Sequence, residues 1–189
     1  MRILGISGSL RAASYNTALL RAAARVAPDD VTVDLYEDLE LLPPFNQDRE
    51  DAPPAEVERL RAELERADAV LFSTPEYNTT IPGQIKHLVD WASRPHGPES
   101  ALWGKPVAVI GASMTDYGAM WAQDHLRKAL GIAGARVLDA ELPVAKAHDL
   151  FADDGELTDP ETRERLAEIV SGLVAHHGRF SGAAAAAAA

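Results

Sequence analysis

Cysteine is missing from all 189 residues, which excludes disulfides, thiolate metal sites, thiol redox couples and a cysteine nucleophile. Any oxidation–reduction chemistry has to be carried by a bound cofactor. Basic charge is scarce: 18 Lys and Arg stand against 29 Asp and Glu, a formal net charge of −11. Such a surface repels phosphate backbones and anionic lipid, so neither nucleic acid nor a membrane is expected as a partner. No apolar run approaches the ~20 residues that cross a bilayer. The chain enters a strand pattern at once, without a signal-peptide core, so a cytoplasmic location is expected. Two phosphate-binding signatures are also absent. Gly5 and Gly8 are three apart with Ser9 where further glycine is wanted, so there is no Gly-x-Gly-x-x-Gly, and no Gly-x-x-x-x-Gly-Lys-Ser/Thr either. The six histidines show no metal-ligand spacing. His176-His177 suit the end of the last helix, and His125 and His148 suit a surface or interface.

What is present is an alternation of short apolar runs with helical periodicity, the pattern of a parallel sheet covered on both faces. The runs are Ile3–Ile6, Val31–Leu35, Ala69–Phe72, Val107–Ile110 and Val137–Leu138. The first, third and fourth are continuously apolar, as central strands are; the second alternates and the fifth is short, as edges are. This predicts an α/β, flavodoxin-like fold: a five-stranded parallel sheet in the order 2-1-3-4-5 with helices on both faces. Residues 1–180 suit a single domain. Ser181-Gly182 and the seven alanines that follow read as an artificial or placeholder tail without function. Between Gly118 and Gly131 the buried helical stripe is Ala122, Leu126, Ala129 and Leu130, so Trp121 points away from it, as a surface or subunit-interface residue.

In such a sheet ligands sit beyond the carboxyl ends of the strands, at the switch between strands 1 and 3. Three loops leave those ends. The first, Gly8-Ser9-Leu10-Arg11-Ala12-Ala13-Ser14-Tyr15-Asn16, lies between a buried strand and a helix N-terminus, where free N–H groups and a positive dipole end meet. Ser9, Ser14 and Asn16 add neutral donors and Arg11 a planar cation suited to phosphate oxygens; a loop that merely caps its helix is the plainer alternative. The second, Pro75-Glu76-Tyr77-Asn78-Thr79-Thr80-Ile81-Pro82-Gly83, is stiffened by two prolines, with Pro82 near the first turn of the next helix. An aromatic ring, an amide and fixed backbone groups held at a sheet edge suit a flat heteroaromatic ligand. The third, Gly111-Ala112-Ser113-Met114-Thr115, misses the Gly-x-Ser-x-Gly nucleophile elbow by one residue, and Ser7 fails the same test, so a hydrolase is disfavoured. Asp34 sits where a dinucleotide fold places its ribose-binding acid, yet within Val31–Leu35 a solvent-facing strand position explains it.

These motifs resemble the NADPH-dependent FMN reductase family of flavodoxin-like proteins. The first loop is similar to its Gly-Ser-x-Arg-x-x-Ser-x-Asn phosphate loop. Pro75-Glu76-Tyr77-Asn78, Pro82-Gly83, Lys86 and Asp90-Trp91-Ala92-Ser93-Arg94 are similar to its flavin-ring loop and following helix. Phe151 to Asp159 is similar to its Phe-Asp-x-x-Gly-x-Leu-x-Asp turn. The resemblance implies that Ser9, Arg11, Ser14 and Asn16, together with Thr17, hold the phosphate of FMN. It implies that Pro75, Glu76, Tyr77 and Asn78 line the flavin ring, and that Ser113 lies at the cofactor. It further implies hydride transfer from NADPH or NADH to the flavin, then electron transfer to a small acceptor such as a quinone, azo compound, metal oxyanion or flavin, in a homodimer or homotetramer. No catalytic side chain is implied, because the flavin carries the chemistry. The third loop departs from the family pattern, with Thr115, Ala119 and Trp121 in place of two glycines and an arginine. That departure keeps a non-enzymatic flavin electron carrier or nucleotide-binding module as the alternative. A Rossmann dehydrogenase using Asp34 lacks its glycine fingerprint.

Overall fold

A computed structural model describes residues 1–187, with side chains described as far as residue 179; residues 188 and 189 of the alanine tail lie outside the described residues. Five parallel strands run in the order β2-β1-β3-β4-β5: β1 Arg2–Ser7, β2 Thr32–Leu35, β3 Ala69–Ser73, β4 Pro106–Ala112 and β5 Arg136–Val137. The expected topology is therefore present. A sixth strand, β6 Pro143–Val144, was not foreseen; it pairs in parallel with Gly111 and Ala112 at the far end of β4. Its two residues are too few to show a period, and proline at its start is tolerated only because it is an edge.

Each strand of the sheet centre sends alternate side chains to opposite faces. Ile3, Ala69, Leu71, Ala108 and Ile110 join the core beneath α1 (Tyr15–Val26) and α6 (Pro160–Ala187). Leu4, Ile6, Val70, Phe72, Val107 and Val109 join the core beneath α2 (Ala55–Arg66), α3 (Gly83–Ala92) and α4 (Met120–Ile132). Both faces are covered, so β3 and β4 are buried along their whole length. The edge strand β2 buries Val33 and exposes Thr32 and Asp34, and Asp34 pairs with Arg2 at 2.9 Å as a surface ion pair. The dinucleotide role considered for Asp34 has no support from that position.

The buried stripe of α4 contains Ala122, Leu126 and Leu130 as expected, and also Gln123, while Ala129, expected in the stripe, is only half-buried. This polar residue is buried because it is satisfied: Nε2 donates to Gly118 O at 3.0 Å, and Oε1 accepts from Leu142 N at 3.3 Å. His176 and His177 do not lie at a helix end, since α6 continues to Ala187; His176 Nε2 instead meets the Arg136 carbonyl oxygen at 3.1 Å. A short helix, α5 (Ala147–Leu150), precedes the turn in which Phe151 bridges Leu157.

Asp159 stands just before Pro160 and accepts from the Thr162 amide at 2.8 Å, so it caps α6. The Thr162 hydroxyl and amide together hold its carboxyl below the usual carboxylate range. A lowered folded value means that the carboxylate stabilises the fold at neutral pH and ceases to do so as pH falls from about 4 through that value. Asp159→Asn keeps an acceptor but removes the titration. Its thermal midpoint falls below wild type at pH 7, and the wild-type excess shrinks between pH 5 and pH 3. Parallel midpoint–pH curves for the two proteins would refute this role.

Candidate active site at the carboxyl edge of the sheet

The first loop starts at Gly8, whose N–H donates to Ser73 O at 2.8 Å. A Cβ on Gly8 would stand 2.9 Å from Ile85 Cγ1 and 3.0 Å from Pro75 Cδ, so only glycine allows this approach of loop one to loop two. Ser9 Oγ accepts from Arg11 N at 3.4 Å, and Ser14 Oγ caps α1 by accepting from Thr17 N at 3.3 Å. The first turn of α1 carries no acidic residue, and the Tyr15 and Asn16 amides have no acceptor within the helix. Arg11 is exposed and forms no ion pair among the described residues. A cation beside the positive end of a helix is unfavourable unless an anion joins them. That pairing of Arg11 with bare helix amides is the electrostatic mark of an anion site.

Asn16 is 3% exposed and its amide is almost fully committed. Oδ1 accepts from Ser73 Oγ and from Ala112 N, both at 2.9 Å, and Nδ2 donates to Ala112 O at 3.0 Å. The side chain joins the start of α1 to the ends of β3 and β4; one Nδ2 hydrogen and the main-chain N–H remain for a ligand. Thr17 Oγ1 donates to Ser7 Oγ at 2.8 Å, inside the loop base.

The second loop folds as a two-residue hairpin. Tyr77 and Thr80 exchange backbone hydrogen bonds at 3.0 and 3.2 Å, and Asn78 and Thr79 both take positive φ, 51° and 60°. Two left-handed residues make a type I′ turn, which suits asparagine and is unusual for β-branched threonine. Tyr77 is half exposed beside buried Pro75. Glu76 turns toward α4, where Oε2 accepts from Ala122 N at 3.0 Å. His125 Nδ1 lies 3.0 Å from Thr80 Oγ1. Pro82 sits one residue before α3.

In the third loop, Ser113 N donates to Val144 O at 3.0 Å, and Ser113 Oγ faces Thr115 Oγ1 at 3.0 Å. Gly118 has φ of 56°, and a Cβ there would stand 2.7 Å from Val144 N, so β6 is what demands this glycine. Ala119 takes the left-handed conformation too, φ 61°, although alanine pays about 1 kcal/mol or more for it. Its side chain is buried, and a Cβ added to Gly111 would come within 3.1 Å of the Ala119 Cβ.

Ser9, Arg11, Ser14, Asn16, Pro75, Glu76, Tyr77 and Ser113 converge on one cleft of about 110 Å³ at the strand 1–3 switch. Thr17 and Asn78 do not line it. Tyr15, Ala112 and Met114 do, and their adjacency to Ser14 and Ser113 is the signal the sequence offers for them. The groups whose pKa is clearly displaced stand elsewhere: Arg2, Tyr36 (pushed up to about 12 by burial), Lys105 (pushed down by burial) and Asp159. The cleft offers hydrogen-bond donors, a cation and an aromatic side chain. Among the described residues no group of three or more His, Cys, Asp or Glu could hold a metal ion, and no helix is long and apolar enough to cross a membrane.

The model of the NADPH-dependent FMN reductase family matches residues 1–149. An NAD(P)H-dependent FMN reductase of Pseudomonas aeruginosa is 40% identical over 176 residues, covering 92% of this chain and 93% of its own. A quinone reductase of Pseudomonas putida is 40% identical over 167 residues, covering 87% and 88%. The solved structure of FerB, a flavoenzyme NAD(P)H:(acceptor) oxidoreductase from Paracoccus denitrificans, superposes with a TM-score of 0.82 at 35% identity, covering 94% of this chain and 97% of that one. With the three loops converging on one cleft at the switch point, the chain belongs to the NADPH-dependent FMN reductase family, oxidoreductases that work with FMN and NAD(P)H.

Proposed function

We propose that this protein passes reducing equivalents from NAD(P)H through FMN to a small planar acceptor of the quinone class, with the cleft between the three loops as the cofactor seat. The observation that carries this reading is the unpaired Arg11 beside the bare amides of α1, with Ser9 and Ser14 in the same cleft. This donor set fits a phosphate dianion. The cleft of about 110 Å³ is well below the ~300 Å³ of a closed small-molecule pocket. It suits the phosphate end, and leaves a flavin ring to rest in the open against Tyr77 and Pro75, where a second planar molecule can stack. Bound FMN supplies the hydride-accepting ring; the chain has to grip, orient and expose it.

Ser9, Arg11, Ser14 and the amides of Tyr15 and Asn16 hold the phosphate in this reading. Thr17 supports Ser7 from below, Asn78 shapes the turn that presents Tyr77, and Ser113 with Met114 closes the opposite wall. Leu10, Tyr77, Met114, Tyr117, Met120 and Trp121 are all large apolar residues left exposed on these loops and the start of α4. Tyr117 and Trp121 pack against each other with ring centroids 4.7 Å apart. So much exposed apolar surface around one cleft favours a subunit contact, and we assign this rim to a homodimer or homotetramer. The absence of cysteine and the strongly acidic surface suit a cytoplasmic single-domain enzyme spanning residues 1–180.

Stopped-flow mixing of the FMN-loaded protein with NADPH or NADH bleaches the flavin absorbance, and a benzoquinone restores it. A flavin that neither nucleotide reduces identifies an electron carrier and overturns the enzymatic reading. Arg11→Ala weakens FMN binding about ten- to a hundredfold, the value of a charge-assisted hydrogen bond. It leaves riboflavin, which has no phosphate, within about twofold; equal loss for both ligands would remove Arg11 from the phosphate site.

A further inference from the structure

Resting on the flavin reading above, we infer that Glu76 is a positioning residue: one oxygen of its carboxylate caps α4 and thereby holds the ring-supporting loop. Helix α4 opens in an unusual way. Its N-cap, Ala119, is left-handed and has no side chain able to accept a hydrogen bond. Of the first-turn amides, Met120 N finds the Tyr117 carbonyl at 3.1 Å, and Gln123 N finds Ala119 O at 3.0 Å. Ala122 N is satisfied from outside, by Glu76 Oε2 at 3.0 Å. The two residues are 46 apart in sequence, so a contact that is local in an ordinary capped helix here ties one active-site loop to another. A carboxylate also complements the positive end of the 13-residue helix.

A second tie completes the clamp. Thr80, at the other shoulder of the Tyr77–Thr80 hairpin, meets His125 of the next helical turn at 3.0 Å. The strained turn carrying Asn78 and Thr79 is thus held at both ends by one helix, whose Gln123 side chain in turn donates to the Gly118 carbonyl of the third loop. Glu76 lines the cleft with one carboxylate oxygen, Oε2, committed to the helix, and the neighbouring Tyr77 is the more exposed of the two. Loss of the cap frees the ring-side shelf and leaves the phosphate loop, built from other elements, in place.

The test is titration of FMN and of riboflavin, read by flavin fluorescence, against wild type, Glu76→Ala, Glu76→Gln and Glu76→Asp. Glu76→Ala weakens both ligands by the same factor, about tenfold, the usual value of a helix cap. Glu76→Gln keeps an acceptor at the same reach and restores both to within about threefold, whereas Glu76→Asp, shorter by one methylene, behaves as Glu76→Ala. If Glu76→Ala does not fold, the Gln and Asp variants decide between the same outcomes. Unchanged affinity in Glu76→Ala or Glu76→Asp overturns the inference while the flavin reading stands. A Gln variant as weak as the Ala variant overturns it as well, since charge at the ligand would then be the cause. A wild-type protein that binds neither ligand overturns both readings at once.

Discussion

One buried amide holds the active-site edge together. Asn16 begins α1, yet its side chain closes hydrogen bonds with Ser73 at the end of β3 and with both backbone groups of Ala112 at the end of β4. Its side chain thereby ties two adjacent strand ends, those of β3 and β4, to the helix that follows β1. A buried polar group left unmatched costs about 1–3 kcal/mol, so each partner of Asn16 depends on the others. The same edge brings Gly8 close to Pro75 and places Ser113 on the cleft that the first two loops line.

The electrostatic design is local against a global background. An acidic protein repels anions at long range, and its nucleotide ligands are anions. The first loop answers with Arg11, hydroxyls and helix amides concentrated within one cleft. The first turn of α1 carries no carboxylate, whereas Glu76 meets the start of α4 and complements its positive end.

The sheet order, its two-sided burial and the convergence of the three loops were legible in the sequence, because continuous apolar runs and Gly/Ser/Pro-rich junctions report them directly. Eight of the ten named site residues line the cleft. What stayed hidden depended on distant partners. Asn16 reads as a phosphate donor by type and position, and nothing local reveals Ser73 and Ala112 around it. Gln123 reads as surface on a helical wheel, but Gly118 and Leu142 satisfy it in the core. Ala119 breaks the rule that left-handed positions are glycine, which no periodicity exposes. β6 is two residues long and exists only because β4 is longer than its neighbours on that side.

The central claim is that Asn16 couples the three loops before any ligand arrives. Hydrogen exchange of the flavin-free protein, followed by mass spectrometry in wild type and Asn16→Ala, tests it most directly. Removal of the amide raises exchange together, by about ten- to a hundredfold, in the peptides covering residues 7–16, 73–80 and 111–118. Faster exchange confined to residues 7–16, with the other two loops as protected as in wild type, would contradict it.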